Sequence, residues 1–126
     1  MIHGVVTNEL EAWIDLAILG EDRSTISFSA VIDTGFSGYL TLPLSVIRRF
    51  GGVPMGTART YLADGSETVC DVFELTILWD NQSITIEVDA AEIEPLVGMR
   101  LLKGHDLAMR VVSNGEVTIR AVPIGT

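Results

Sequence analysis

The chain has 126 residues, 48% of them hydrophobic and 20% charged, with 17 acidic against 8 basic side chains and a formal net charge of −9. A chain of this length buries roughly two thirds of its unfolded surface without disulfides or metal, so a single domain over residues 1–126 is expected to fold unaided. The acid excess argues against a phosphate-backbone partner, which needs clustered lysine and arginine, and no apolar run approaches the length that crosses a bilayer.

The opening residues MIHGVVTNELEAW show no basic stretch leading into an apolar core and a small-residue cleavage site, so a cytoplasmic location is the expectation. Cys70 has no second cysteine to pair with, and His3 and His105 stand apart in the sequence. Neither a metal nor a cofactor is therefore expected.

Period-two alternation dominates the chain from its start. In AWIDLAIL, Ile14, Leu16 and Ile18 fall on one face, and TISFSAVI does the same with Ile26, Phe28, Ala30 and Ile32. Gly20 to Arg23 joins the two as a turn. PLSVIRRF, residues 43–50, reads as a short helix with Pro43 in its first turn and an end at Gly51 and Gly52. In TVCDVFELTILW, Val69, Phe73, Leu75, Ile77 and Trp79 share a face with Asp71 as the exception, and SITIEV places Ile84, Ile86 and Val88 together. Asp80 and Asn81 between them predict a hairpin turn. GMRLLK, residues 98–103, predicts one or two helical turns before Gly104. Finally, LAMRVV and EVTIRAV flank Ser113, Asn114 and Gly115, and the Asn-Gly pair predicts another hairpin. The sum is an all-β fold with two short helices.

One stretch, VIDTGFSGYLTLP over residues 31–43, carries the chemistry. Asp, Thr and Gly are ordinary turn residues. Asp33, however, leaves an apolar strand, and the residues after it are again apolar and β-prone, whereas a surface turn normally sits among polar neighbours. Other conspicuous side chains have plainer readings. Trp13 and Trp79 read as core or barrel-closing aromatics, Cys70 as an unreactive strand residue, and Asp71, Asp89, Glu92 and Glu94 as a solvated acidic face.

VIDTGFSGYLTLP resembles the active-site stretch of retropepsin-like aspartic proteases, especially the small single-domain prokaryotic ones. PLVGMRLL resembles their second signature, two apolar residues and a glycine that opens a short helix, and TYLADGSETV stands where they carry a flap hairpin. The similarity runs in the family's order over about residues 10–122. It implies a retropepsin-like acid protease fold, a closed or partly open β-barrel with one or two short helices. It also implies that Asp33 is the catalytic carboxylate within an active-site loop of Thr34, Gly35, Phe36 and Ser37. Thr34 would hydrogen-bond across to a partner chain, and Gly35 would let the backbone approach the carboxylates. Tyr61, Leu62, Ala63, Asp64 and Gly65 would form the flap and contact substrate. Leu96, Val97 and Gly98 would form the second signature, with Gly98 packed beneath the loop. Tyr39, Leu62, Ala63 and Leu96 are the candidates for lining pockets. The chain departs from retroviral members at Phe36, where they usually have Ala, at Ser37 and Gly38, where they have acids, and at Met99, where Arg usually follows the glycine.

Peptide hydrolysis by water requires one carboxyl to take the water's proton and another to supply one to the carbonyl. One chain offers one such Asp. The resemblance therefore implies a homodimer joined through the active-site loops, with Asp33 from each copy. Its substrate would be an extended peptide or unfolded protein, with no cofactor and no nucleic-acid or membrane partner. The competing reading is a catalytically inactive retropepsin-like β domain that binds a peptide or serves in assembly, because fold alone does not establish activity.

Overall fold

A computed structural model describes residues 1–61 and 64–123. In chain order these form β1 (Ile2–Val6), β2 (Ala12–Leu19), β3 (Thr25–Ile32), β4 (Leu40–Leu42), α1 (Leu44–Arg49), β5 (Val53–Tyr61), β6 (Glu67–Trp79), β7 (Gln82–Ala90), β8 (Leu96–Val97), α2 (Met99–Leu102), β9 (His105–Met109) and β10 (Glu116–Ala121). The strands make one sheet in the order β5-β6-β7-β4-β8-β3-β2-β1-β10-β9, and an additional β2–β6 pairing closes part of it into a ring. The all-β expectation holds. Pairing is antiparallel except where β3 meets β8 and β4 meets β7.

The alternating segments supply the inside of this ring. Ile14, Leu16 and Ile18 of β2 are buried against Leu75, Ile77 and Trp79 of β6 and Ile86 and Val88 of β7. Each fully buried Ile or Leu contributes about 1.5–3 kcal/mol, so this face fixes the register of the strands. Asp80 and Asn81 both take positive φ, 51° and 66°, and Trp79 pairs with Gln82 across them. That is the geometry of a two-residue turn matched to strand twist.

Several details differ from expectation, each for a local reason. Pro43 is the extended N-cap of α1, not a residue of its first turn. The Leu44 N–H is capped by the carboxylate of Glu92 at 3.1 Å, so this acid holds a helix end. The β9–β10 connection runs over six residues, 110–115, because Val6 of β1 exchanges hydrogen bonds with Asn114 and Gly115. Val69 is 58% exposed, since β6 beyond Phe73 leaves the core together with β5. Trp13 is only half-buried and pairs with Val5 and Val31 on the sheet's outer face, while Trp79 alone joins the core. His105 is not isolated: its Nε2 accepts the Trp79 indole N–H at 3.1 Å. Among the described residues no helix is long and apolar enough to cross a membrane.

Candidate active site

β8 lies between β3 and β4 in the sheet, so the loop of residues 33–39 that joins β3 to β4 must pass over the end of β8. Backbone hydrogen bonds seat it there. The Asp33 N–H donates to the Val97 carbonyl at 2.9 Å, Gly98 N–H to Tyr39 at 3.0 Å, Met99 N–H to Phe36 at 2.8 Å and Arg100 N–H to Gly38 at 3.1 Å. The two stretches singled out from the sequence are thus stitched together, although more than 50 residues separate them.

Glycines make the close approach possible. A Cβ on Gly98 would lie 2.2 Å from the Gly38 carbonyl oxygen and 2.6 Å from the Phe36 ring, and one on Gly38 would lie 2.5 Å from the same ring. Phe36 therefore occupies space that side chains at positions 38 and 98 would take. The bulky residue after the DTG triplet and the glycine two positions on are one packing solution.

Asp33 is half-buried and its Oδ1 accepts the Gly35 N–H at 2.9 Å. Thr34, Gly35 and Ser37 are exposed, and Phe36 is half-buried. A concavity of about 560 Å³, lined by Ser37, Tyr39, Met99, Arg100 and Lys103, adjoins the loop. Asp64 and Gly65 lie exposed in the connection between β5 and β6. The Asp64 carboxylate accepts the Ser66 N–H at 2.8 Å and the Ser66 hydroxyl at 2.6 Å, Gly65 has φ +84°, and these bonds hold the Asp64 carboxyl below the usual range. Tyr61 pairs with Glu67 at the end of the ribbon. Leu62 and Ala63 fall outside the described residues.

The sequence did not reveal how the floor beside Asp33 is built. Alternation turns Ile32 toward the core and Val31 to the opposite face, as it does Asp33 just beyond the strand end. Val31 pairs with Leu96, whose N–H donates to the Thr41 hydroxyl at 2.9 Å. Thr41 pairs with Asp89, and Asp89 with Val72. This row runs from the strand that ends at Asp33 to the base of the β5–β6 hairpin. Thr41 at 5% and Val72 at 7% exposure are buried without belonging to the hydrophobic core cluster. Asp89, expected on a solvated face, is half-buried, and burial first and Glu87 second push its carboxyl up. Its charge also helps burial raise the thiol of Cys70 on β6. A threonine between two leucines in LTL was the one available signal for this row.

No protein-family model matches the chain, and no curated protein matches its sequence. Among solved structures, a retropepsin-like aspartic protease from Rickettsia conorii is similar at TM-score 0.56, over 96% of this chain and 90% of that one, with 15% identity. The fold is retropepsin-like. Within it the two short helices take the places expected from the sequence. The chain presents a single carboxylate, Asp33, from the loop that crosses β8.

Proposed function

We propose that the protein is an aspartic endopeptidase acting as a homodimer, with a water activated between two copies of Asp33. The observation that carries this reading is the Asp33 loop itself. A carboxylate at the end of a buried strand, held by the Gly35 N–H and seated on Gly98, stands on an exposed loop where a second copy can reach it. The retropepsin-like fold supports the assignment.

A twofold contact brings identical loops together, and Thr34, exposed beside Asp33, would bond across it. Two carboxylates about 3 Å apart repel by roughly 5–6 kcal/mol at an effective dielectric near 20, or about 4 pKa units. They therefore share a proton at neutral pH. The ionised member accepts the water's proton, while the protonated one donates to the peptide carbonyl. The β5–β6 hairpin acts as the flap, enclosing an extended peptide so that bulk water leaves and these hydrogen bonds strengthen. Backbone hydrogen bonds hold the peptide as an added strand.

The test is hydrolysis of denatured casein between pH 4 and 7 by the wild type and by Asp33→Asn. The substitution keeps the shape and removes the proton-sharing pair, and the rate is expected to fall by roughly 10²–10⁴-fold or more. Equal rates, or no cleavage by either protein, would overturn the proposal in favour of a peptide-binding or assembly domain.

A further inference from the structure

The row of residues beside Asp33 includes a charge that the reaction does not need. Leu96, Thr41 and Val72 are apolar or have their hydrogen bonding satisfied within the sheet, whereas Asp89 brings a carboxylate into the same face. Among the described residues no cation or hydrogen-bond donor pairs with its side chain. A half-buried acid with no counter-ion costs stability and gives the fold nothing in return. Across β6 the register neighbours on β5 are small: Gly56 pairs with Val72, the partner of Asp89, and Ala58 pairs with Cys70. Short residues thus continue the row from Asp89 toward the hairpin.

We infer that Asp89 is a specificity residue that receives a lysine or arginine side chain of the substrate peptide. The inference rests on the endopeptidase reading for turnover, but the recognition itself requires only that a peptide lies along this face. Asp89 sits three strands from β3 in the sheet, about 14 Å at ordinary strand spacing, which an extended peptide covers in about four residues. The cationic residue therefore lies within about four positions of the scissile bond. A lysine or arginine stem packs along apolar surface while its head reaches the acid, and the pairing is a charge-assisted hydrogen bond in a partly desolvated site. The chain's net charge of −9 favours the approach of such peptides.

The experiment has two arms. In the first, a random decapeptide library is digested by the wild type, Asp89→Asn and Asp89→Lys, and the cut sites are read by mass spectrometry. Wild-type cut sites are expected to be enriched in Lys or Arg within four residues of the bond, with a preference of about tenfold over norleucine at that position. The preference should fall toward unity in Asp89→Asn and turn toward Glu in Asp89→Lys. An unchanged Lys and Arg preference in both variants would overturn the inference. The second arm needs no turnover. Two fluorescein-labelled decapeptide pools of apolar sequence, carrying either lysine or norleucine at one position, are titrated by anisotropy into Asp33→Asn and into Asp33→Asn combined with Asp89→Asn. The first protein should bind the lysine pool about tenfold more tightly than the norleucine pool, and the second should bind both pools equally. If the library is not cut but this difference appears, the endopeptidase reading fails and the recognition stands. Equal binding of the two pools to the protein that retains Asp89 sinks the recognition itself.

Discussion

Gly98 and Gly38 meet backbone to backbone: the carbonyl oxygen of Gly38 lies 2.2 Å from where a Cβ on Gly98 would stand. Two segments that carry the candidate chemistry are held together by this contact and by the Arg100 N–H bonded to the same carbonyl. Because the obstruction is backbone, it cannot rotate away as a flexible side chain would. Gly98→Ala must push the Asp33 loop off β8. The expected cost is about 2–3 kcal/mol in urea unfolding, at the upper end for overpacking, with loss of any cleavage activity. Met99→Ala, exposed at the next position, should stay within about 0.5 kcal/mol.

Thr41 is the polar residue of an otherwise apolar three-residue strand, and its hydroxyl accepts the Leu96 N–H. Thr41→Val keeps the volume but leaves that N–H without a partner in a part-buried position. A loss of about 1–3 kcal/mol follows, measured by the urea midpoint. Thr41→Ser should retain the bond and most of the stability.

Asp89 offers a dependence on pH whose sign is fixed. Burial and Glu87 raise its carboxyl in the folded chain, so the folded state holds this proton more tightly than the unfolded state does. Below the ordinary carboxyl value of about 3.9 both states are protonated and the group costs nothing. As pH rises through the folded value, charging it penalises the fold. Asp89→Asn should therefore be more stable than the wild type at pH 7, and the gain should shrink toward zero as pH falls below about 4. A gain of the same size at both values would trace to packing, not to charge.

The parts of this fold that alternate against the core were legible in the sequence. β2, β3, β6 and β7 announce themselves by period two, and Asp80-Asn81 by its turn chemistry, because the rule that places each side chain is local. β1 escaped because Gly4 interrupts its apolar set, packed where a Cβ would lie 2.3 Å from the Trp13 carbonyl oxygen. β5 escaped because Pro54 and Gly56 break its pattern around a shift in register. Within the site, Asp33 and Gly98 could be named because short motifs carry them. Asp89 could not be told from a solvated acid, and the helix-capping bond of Glu92, exposed as expected, could not be seen. The burial of one and the capping role of the other depend on β4, β6 and α1, which reach them from distant parts of the chain.

The central claim is that two chains complete one site, and subunit mixing tests it most directly. Wild type is incubated with increasing Asp33→Asn at constant total protein, allowed to exchange, and assayed on denatured casein. If both copies of Asp33 are required, activity follows the square of the wild-type fraction, so an equal mixture retains about a quarter of the wild-type rate. Retention of about half, a linear dependence, would mean that each chain works with its own Asp33 and would contradict the account.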